Sequence, residues 1–85
     1  MYKKSRVSLV CSYDSEADAA YIYLDHPIAP AAAQRTIPSE SGTFNIDLDA
    51  VGHVLGLEIL GARTHLPPAL LTAILESDRT EPEDS

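Results

Sequence analysis

The chain has one cysteine, Cys11, in 85 residues. That excludes an internal disulfide framework and a thiolate metal cluster. Cys11 lies in an alternating apolar row, where a thiol serves as a small hydrophobe. No apolar run approaches the roughly 20 residues that a helix needs to span a bilayer. Residues 1–6 are charged where a secretory signal would be apolar. The expectation is a soluble, cytoplasmic protein with no membrane partner. Glycine is scarce too, at four, and none forms a phosphate-cradling loop. Only Ser41 precedes a glycine, and no nucleophile elbow surrounds any serine.

Positive charge is also short: six Lys and Arg against 13 Asp and Glu give −7. The distribution is uneven. Lys3, Lys4 and Arg6 crowd the first six residues, whereas the body from 7 to 75 sets eight acids against Arg35 and Arg63. Such a body repels phosphate backbones, which argues against nucleic acid as a partner. It suits a basic protein partner. A chain this short buries a limited core, which raises the expectation of a homo-oligomer.

What is present is mostly period-two alternation. In "RVSLVCSY", residues 6–13, Val7, Leu9, Cys11 and Tyr13 share one face. Residues 19–25 alternate again, and the polar loop between makes a β-hairpin. "HPIAPAAA" at 26–33 reads as loop, and "QRTIP" at 34–38 as a short edge strand ended by Pro38. A second hairpin joins "TFNIDLD" to "VLGLEIL" through "AVGH", with Gly52 supplying a left-handed turn residue. The register that gathers the apolar rows pairs Leu48 with Leu55, Ile46 with Leu57 and Asn45 with Glu58. After Gly61 the period changes. Pro67, Leu70, Leu71, Ile74 and Leu75 form one apolar helical stripe, with Thr64 as a candidate cap. The expected fold is α+β: an antiparallel β-meander of four to five strands with one C-terminal helix packed on one face. Residues 1–77 form a single small domain, and 78–85 a disordered acidic tail.

Asp14, Glu16 and Asp18 recur at every second position, as the first ligands of a calcium loop do. That loop also needs a glycine at its sixth position and an acid at its twelfth. Here those places hold Ala19 and Asp25, both inside an expected strand. Asp14 and Asp18 are therefore read, with Gly52, as structural turn residues. His26, His53 and His65 are scattered and make a weak case for zinc. No metal and no cofactor is expected. Asp47 and Glu58 could face each other across a hairpin, but a flat sheet offers an acid/base pair no cleft.

The remaining candidate is the sheet face turned away from the helix. With Ile22 and Leu24 facing the helix, Tyr21 and Tyr23 face outward. Asp47, Val54 and Glu58 join them, beside Asn45 and Leu60. Tyrosine buries area while keeping a polar tip, which suits a contact surface. An interface, in a homodimer or with another partner, is preferred over a solvated face or a small-molecule site, and no catalytic residue is assigned.

Tyr13-Asp14, Asp18, Tyr21-Ile22, Asp47-Leu48-Asp49, Gly52 and Gly56-Leu57-Glu58-Ile59-Leu60 together resemble the small prokaryotic domain-of-unknown-function family 2283. Both hairpins match in order, over roughly residues 13–62. Leu57 stands where the family's closing run has isoleucine, and residues 26–42 are longer and richer in alanine and proline. The resemblance implies an α+β domain of similar size and no established activity. Some members lie beside genes for small toxin-like proteins, which implies an antitoxin-like role with a basic partner as one alternative. A metal- or small-ligand-binding domain is another. Gly56 is expected to let a neighbouring group approach closely.

Overall fold

The computed structural model describes residues 1–80. Five strands form one antiparallel sheet: β1 (Val10–Asp14), β2 (Ala19–Tyr23), β3 (Arg35–Pro38), β4 (Phe44–Leu48) and β5 (Val54–Leu60). Two helices follow, α1 (Ala62–His65) and α2 (Pro68–Thr80). The fold is α+β, as expected. The acidic tail assigned to residues 78–85 begins within α2, and its residues 81–85 lie outside the described residues.

The strand order is β1-β2-β5-β4-β3, so it departs from the sequential order of a meander. β5, the last strand in the chain, lies between β2 and β4. The segment joining β2 to β3 therefore crosses past the end of the β4–β5 hairpin. It is tied there by Leu24 and Asp25 N–H donating to Leu55 O, and Gln34 N–H to Leu48 O.

In the β4–β5 hairpin, Asn45 faces Glu58 and Ile46 faces Leu57, as the apolar pattern predicts. The turn end differs. A bulge between Asp47 and Leu48 sets Leu48 opposite Val54, where alternation alone predicts Leu55. The extra residue lets both Leu48 and Leu55 be buried. A bulge is invisible to a strict period of two.

β1 begins only at Val10, although the alternation starts at Val7. β2 ends at Tyr23, which pairs with Val10, so residues 6–9 have no strand beside them. All nine of the first residues are exposed.

The core centres on Ala20, Ala62, Leu66 and Ile74, with Cys11, Tyr13, Ile59, Leu70 and Leu71 packed around it. The helices thus pack over Cys11, Tyr13 and Ala20; Ile22, paired with Cys11, shares that face and is half-buried outside the core cluster. Leu24 lies beyond β2 and is exposed. The expected single helix is two, separated by Leu66 and Pro67, with Leu66 in extended backbone. Thr64 is inside α1 and does not cap α2; the residue before α1 is Gly61, in the left-handed conformation. The helix-side face of β4 and β3 stays open. Phe44, Ile46 and Leu57 are half-buried, and Ile37 is exposed.

Candidate functional site

Antiparallel pairing fixes which side chains meet on the face away from the helices. One row across the sheet reads Val10, Tyr23, Gly56, Asp47, Thr36; the next reads Ser12, Tyr21, Glu58, Asn45, Pro38. Tyr21 leaves its own row. Its ring lies diagonally over Gly56, and its hydroxyl donates to Asp47 Oδ2 at 2.7 Å. A Cβ on residue 56 would fall well inside the van der Waals radius of the Tyr21 ring and hydroxyl. Gly56 is thus the gap through which Tyr21 reaches β4.

Asp47 uses both oxygens. Thr36 Oγ1 donates to Oδ1 at 2.7 Å. The carboxylate therefore links β2, β4 and β3 without any backbone pairing between β2 and β4. In the neighbouring row Asn45 Nδ2 donates to Glu58 Oε1 at 2.9 Å. Partial burial, then the hydrogen bond to Asp47, pushes the Tyr21 phenol well above its ordinary value. Tyr21 is a fixed donor, held protonated.

Tyr23 continues this surface as an aromatic run. Its ring meets that of Tyr21 edge-on at 4.8 Å and that of His26 edge-on at 5.0 Å. The five candidate residues divide on this geometry. Tyr21, Tyr23, Asp47 and Glu58 share one patch. Val54 sits at the hairpin end of β5, opposite Leu48 beside the bulge, and is exposed. The pattern of alternation places no lysine or arginine in the two rows of this face.

A second polar cluster lies at the other end of the molecule, around the acids between β1 and β2. Asp14 Oδ1 accepts from Glu16 N–H at 3.0 Å and from Ala17 N–H at 3.3 Å, and so shapes the turn. Asp18 does more than turn the chain. It has φ 52, and its Oδ1 accepts from Tyr13 Oη at 2.8 Å and from Arg63 N–H at 3.0 Å. Its carbonyl accepts from Ala62 N–H at 2.8 Å. Arg63 Nε donates to Tyr13 Oη at 3.0 Å, which places its guanidinium 5.9 Å from the ring centroid. Partial burial and the bond to Asp18 raise the Tyr13 phenol, against the opposing effect of Arg63.

Arg63 is the residue that sequence reading missed. It is one of two cations in the body, and that scarcity was the available signal. The third acidic feature is local. Asp49 Oδ1 accepts from Val51 and His53 N–H, and Oδ2 lies 2.9 Å from His53 Nδ1. The hydrogen bond from His53 draws the Asp49 carboxyl below its ordinary value. Gly52, at φ 97, takes the left-handed position in that turn.

Among the described residues, no group of three or more His, Cys, Asp or Glu is placed to hold a metal ion. Among them, too, no helix is long and apolar enough to cross a membrane.

The sequence profile of a protein family of unknown function, DUF2283, matches residues 11–63. The match covers well over half the chain, from β1 to α1, and the chain belongs to this family. No curated protein and no solved structure matches the chain.

Proposed function

We propose that this member of the family is a non-enzymatic protein-interaction module whose first partner is a second copy of itself. One observation carries the reading. The core is thin: among the described residues only six hydrophobic residues are buried, and no large side chain is fully buried. Nine exposed residues precede β1, and the helices pack against only part of one sheet face. A chain with so little core gains stability by burying surface between copies. Light scattering at tens of micromolar tests this, with a mass of two chains expected. A strictly monomeric mass overturns it.

The outward face supports a second reading, a basic partner neutralised in the manner of an antitoxin. Tyr21, Tyr23, Asp47 and Glu58 join aromatic rings to carboxylates, a combination that receives arginine and lysine well. Calorimetric titration with an arginine-rich peptide, compared between the wild type and Asp47→Asn/Glu58→Gln, tests it. Equal binding by both proteins removes this reading.

A further inference from the structure

We propose that two copies join through their β1 edges, with residues 7–13 pairing antiparallel about a two-fold axis at Val10. This deepens the self-association proposed above and rests on it.

The two edges of the sheet are unequal. β3 is four residues long, ends at Pro38 and so lacks one backbone donor. Prolines and short length are how edge strands avoid unwanted pairing. β1 has no proline. Its alternation also continues backward through residues with no strand beside them. Val7 is 72% exposed and Leu9 49%; both precede β1, and continued alternation would put them on the face that carries Cys11 and Tyr13. Two exposed apolar side chains that extend the alternation of β1 past the end of β2 at Tyr23 suit pairing with a further strand.

Side-chain chemistry selects the occupant and the register. With Val10 on the axis, Leu9 stands opposite Cys11 of the second copy and Val7 opposite its Tyr13. Both targets already lie against the helices. On the other face the same register sets Arg6 opposite Asp14. Further out, it directs Lys4 toward Glu16. The basic start of the chain thus meets the acidic turn of its copy, in each direction at once. Moving the axis to residue 9 puts Arg6 against Ser12. Moving it to residue 11 leaves Asp14 facing Ser8. Asp14 holds the turn through Oδ1, so Oδ2 is the oxygen that would receive Arg6.

The pairing predicts which positions can be bridged. Cβ atoms directly opposite across an antiparallel pair lie about 5 Å apart. Residues two positions from the axis are displaced by roughly 13 Å from their own copies, at about 3.3 Å per residue. In a Cys11→Ser background, Val10→Cys is expected to form a disulfide-linked dimer under mild oxidation. Ser8→Cys and Ser12→Cys are expected to react at least tenfold more slowly. Arg6 is exposed, so Arg6→Glu probes the contact without disturbing the protomer's core. It is expected to weaken dimerisation about tenfold and to reduce its dependence on salt.

The outcomes separate. Equal or faster linking at Ser8→Cys or Ser12→Cys overturns the register. A dimeric mass with no linking at any of the three positions overturns the edge assignment and leaves self-association standing. A monomeric mass overturns both.

Discussion

Tyr13 and Tyr21 each donate a hydrogen bond to an aspartate, at 2.8 and 2.7 Å, and the two bonds join very different parts of the chain. Tyr13 and Asp18 are five residues apart and belong to one hairpin, whereas Tyr21 and Asp47 are separated by 26 residues. The local pair is a mount. Through Arg63 N–H and Ala62 N–H it fastens α1 to the turn between β1 and β2. The distant pair is a brace. It spans β5 and holds the two hairpins in one sheet from the outside face. Chemically similar pairs thus fix the helix to the sheet in one case and the sheet to itself in the other.

Gly56→Ala breaks the brace most severely. Its Cβ has no room under Tyr21, so either the ring or the strand moves. A loss of about 2–3 kcal/mol is expected by urea denaturation. A loss under about 0.5 kcal/mol would mean that the ring moves at no cost.

Asp18→Ala attacks the mount. It removes the acceptor for Tyr13 and for Arg63 N–H and places alanine at positive φ. About 2 kcal/mol is expected. Amide exchange should accelerate in α1 more than in β4. Uniform acceleration would show that the cluster does not serve the helix in particular.

Tyr21→Phe isolates the brace's hydrogen bond at about 1 kcal/mol. A double-mutant cycle with Asp47→Ala should show that most of the loss is shared. Additive losses would show that the two residues act independently.

The alkaline limb sharpens the comparison with a smaller effect. The Tyr21 phenol is raised from 10.0, first by burial and then by Asp47. A raised phenol stabilises fully below its ordinary value, and that contribution is lost as pH climbs beyond it. Absorbance titration should therefore show one tyrosine ionising after the others. Tyr21→Phe should remove that last step.

The smallest effect concerns a carboxylate that belongs to neither pair. Asp49 is lowered from 3.8, chiefly by the hydrogen bond from His53. A lowered carboxyl stabilises above its ordinary value, and the contribution disappears as pH falls through the lowered one. His53→Ala should slightly flatten the acid limb of stability below pH 4. An unchanged limb would mean that the exposed pair contributes nothing.

Alternation made both hairpins legible, and it assigned Tyr21 and Tyr23 to the outward face because a one-residue slip would have exposed the whole apolar row. The strand order was not legible. Pairing of β2 with β5 depends on contacts between distant residues, and no local pattern encodes them. The brace was half legible. Tyr21, Asp47 and Gly56 were each singled out, but as a contact residue, a surface acid and a point of close approach. Only the diagonal of the two rows reveals that they form one device. Asp18 read as a turn acid because the sequence does not show that α1 returns to it. The bulge at Asp47 and Leu48 escaped for a related reason: a single extra residue leaves no trace in hydrophobicity.

The central place of β5 carries a consequence for synthesis. The ribosome makes β1 to β4 first, yet the strand that must lie between β2 and β4 is made last among the five. Until residue 60 has cleared the exit tunnel, β2 and β4 lack the strand that joins them, and each is left with an open edge. A pause in translation before β5 has emerged would prolong that state.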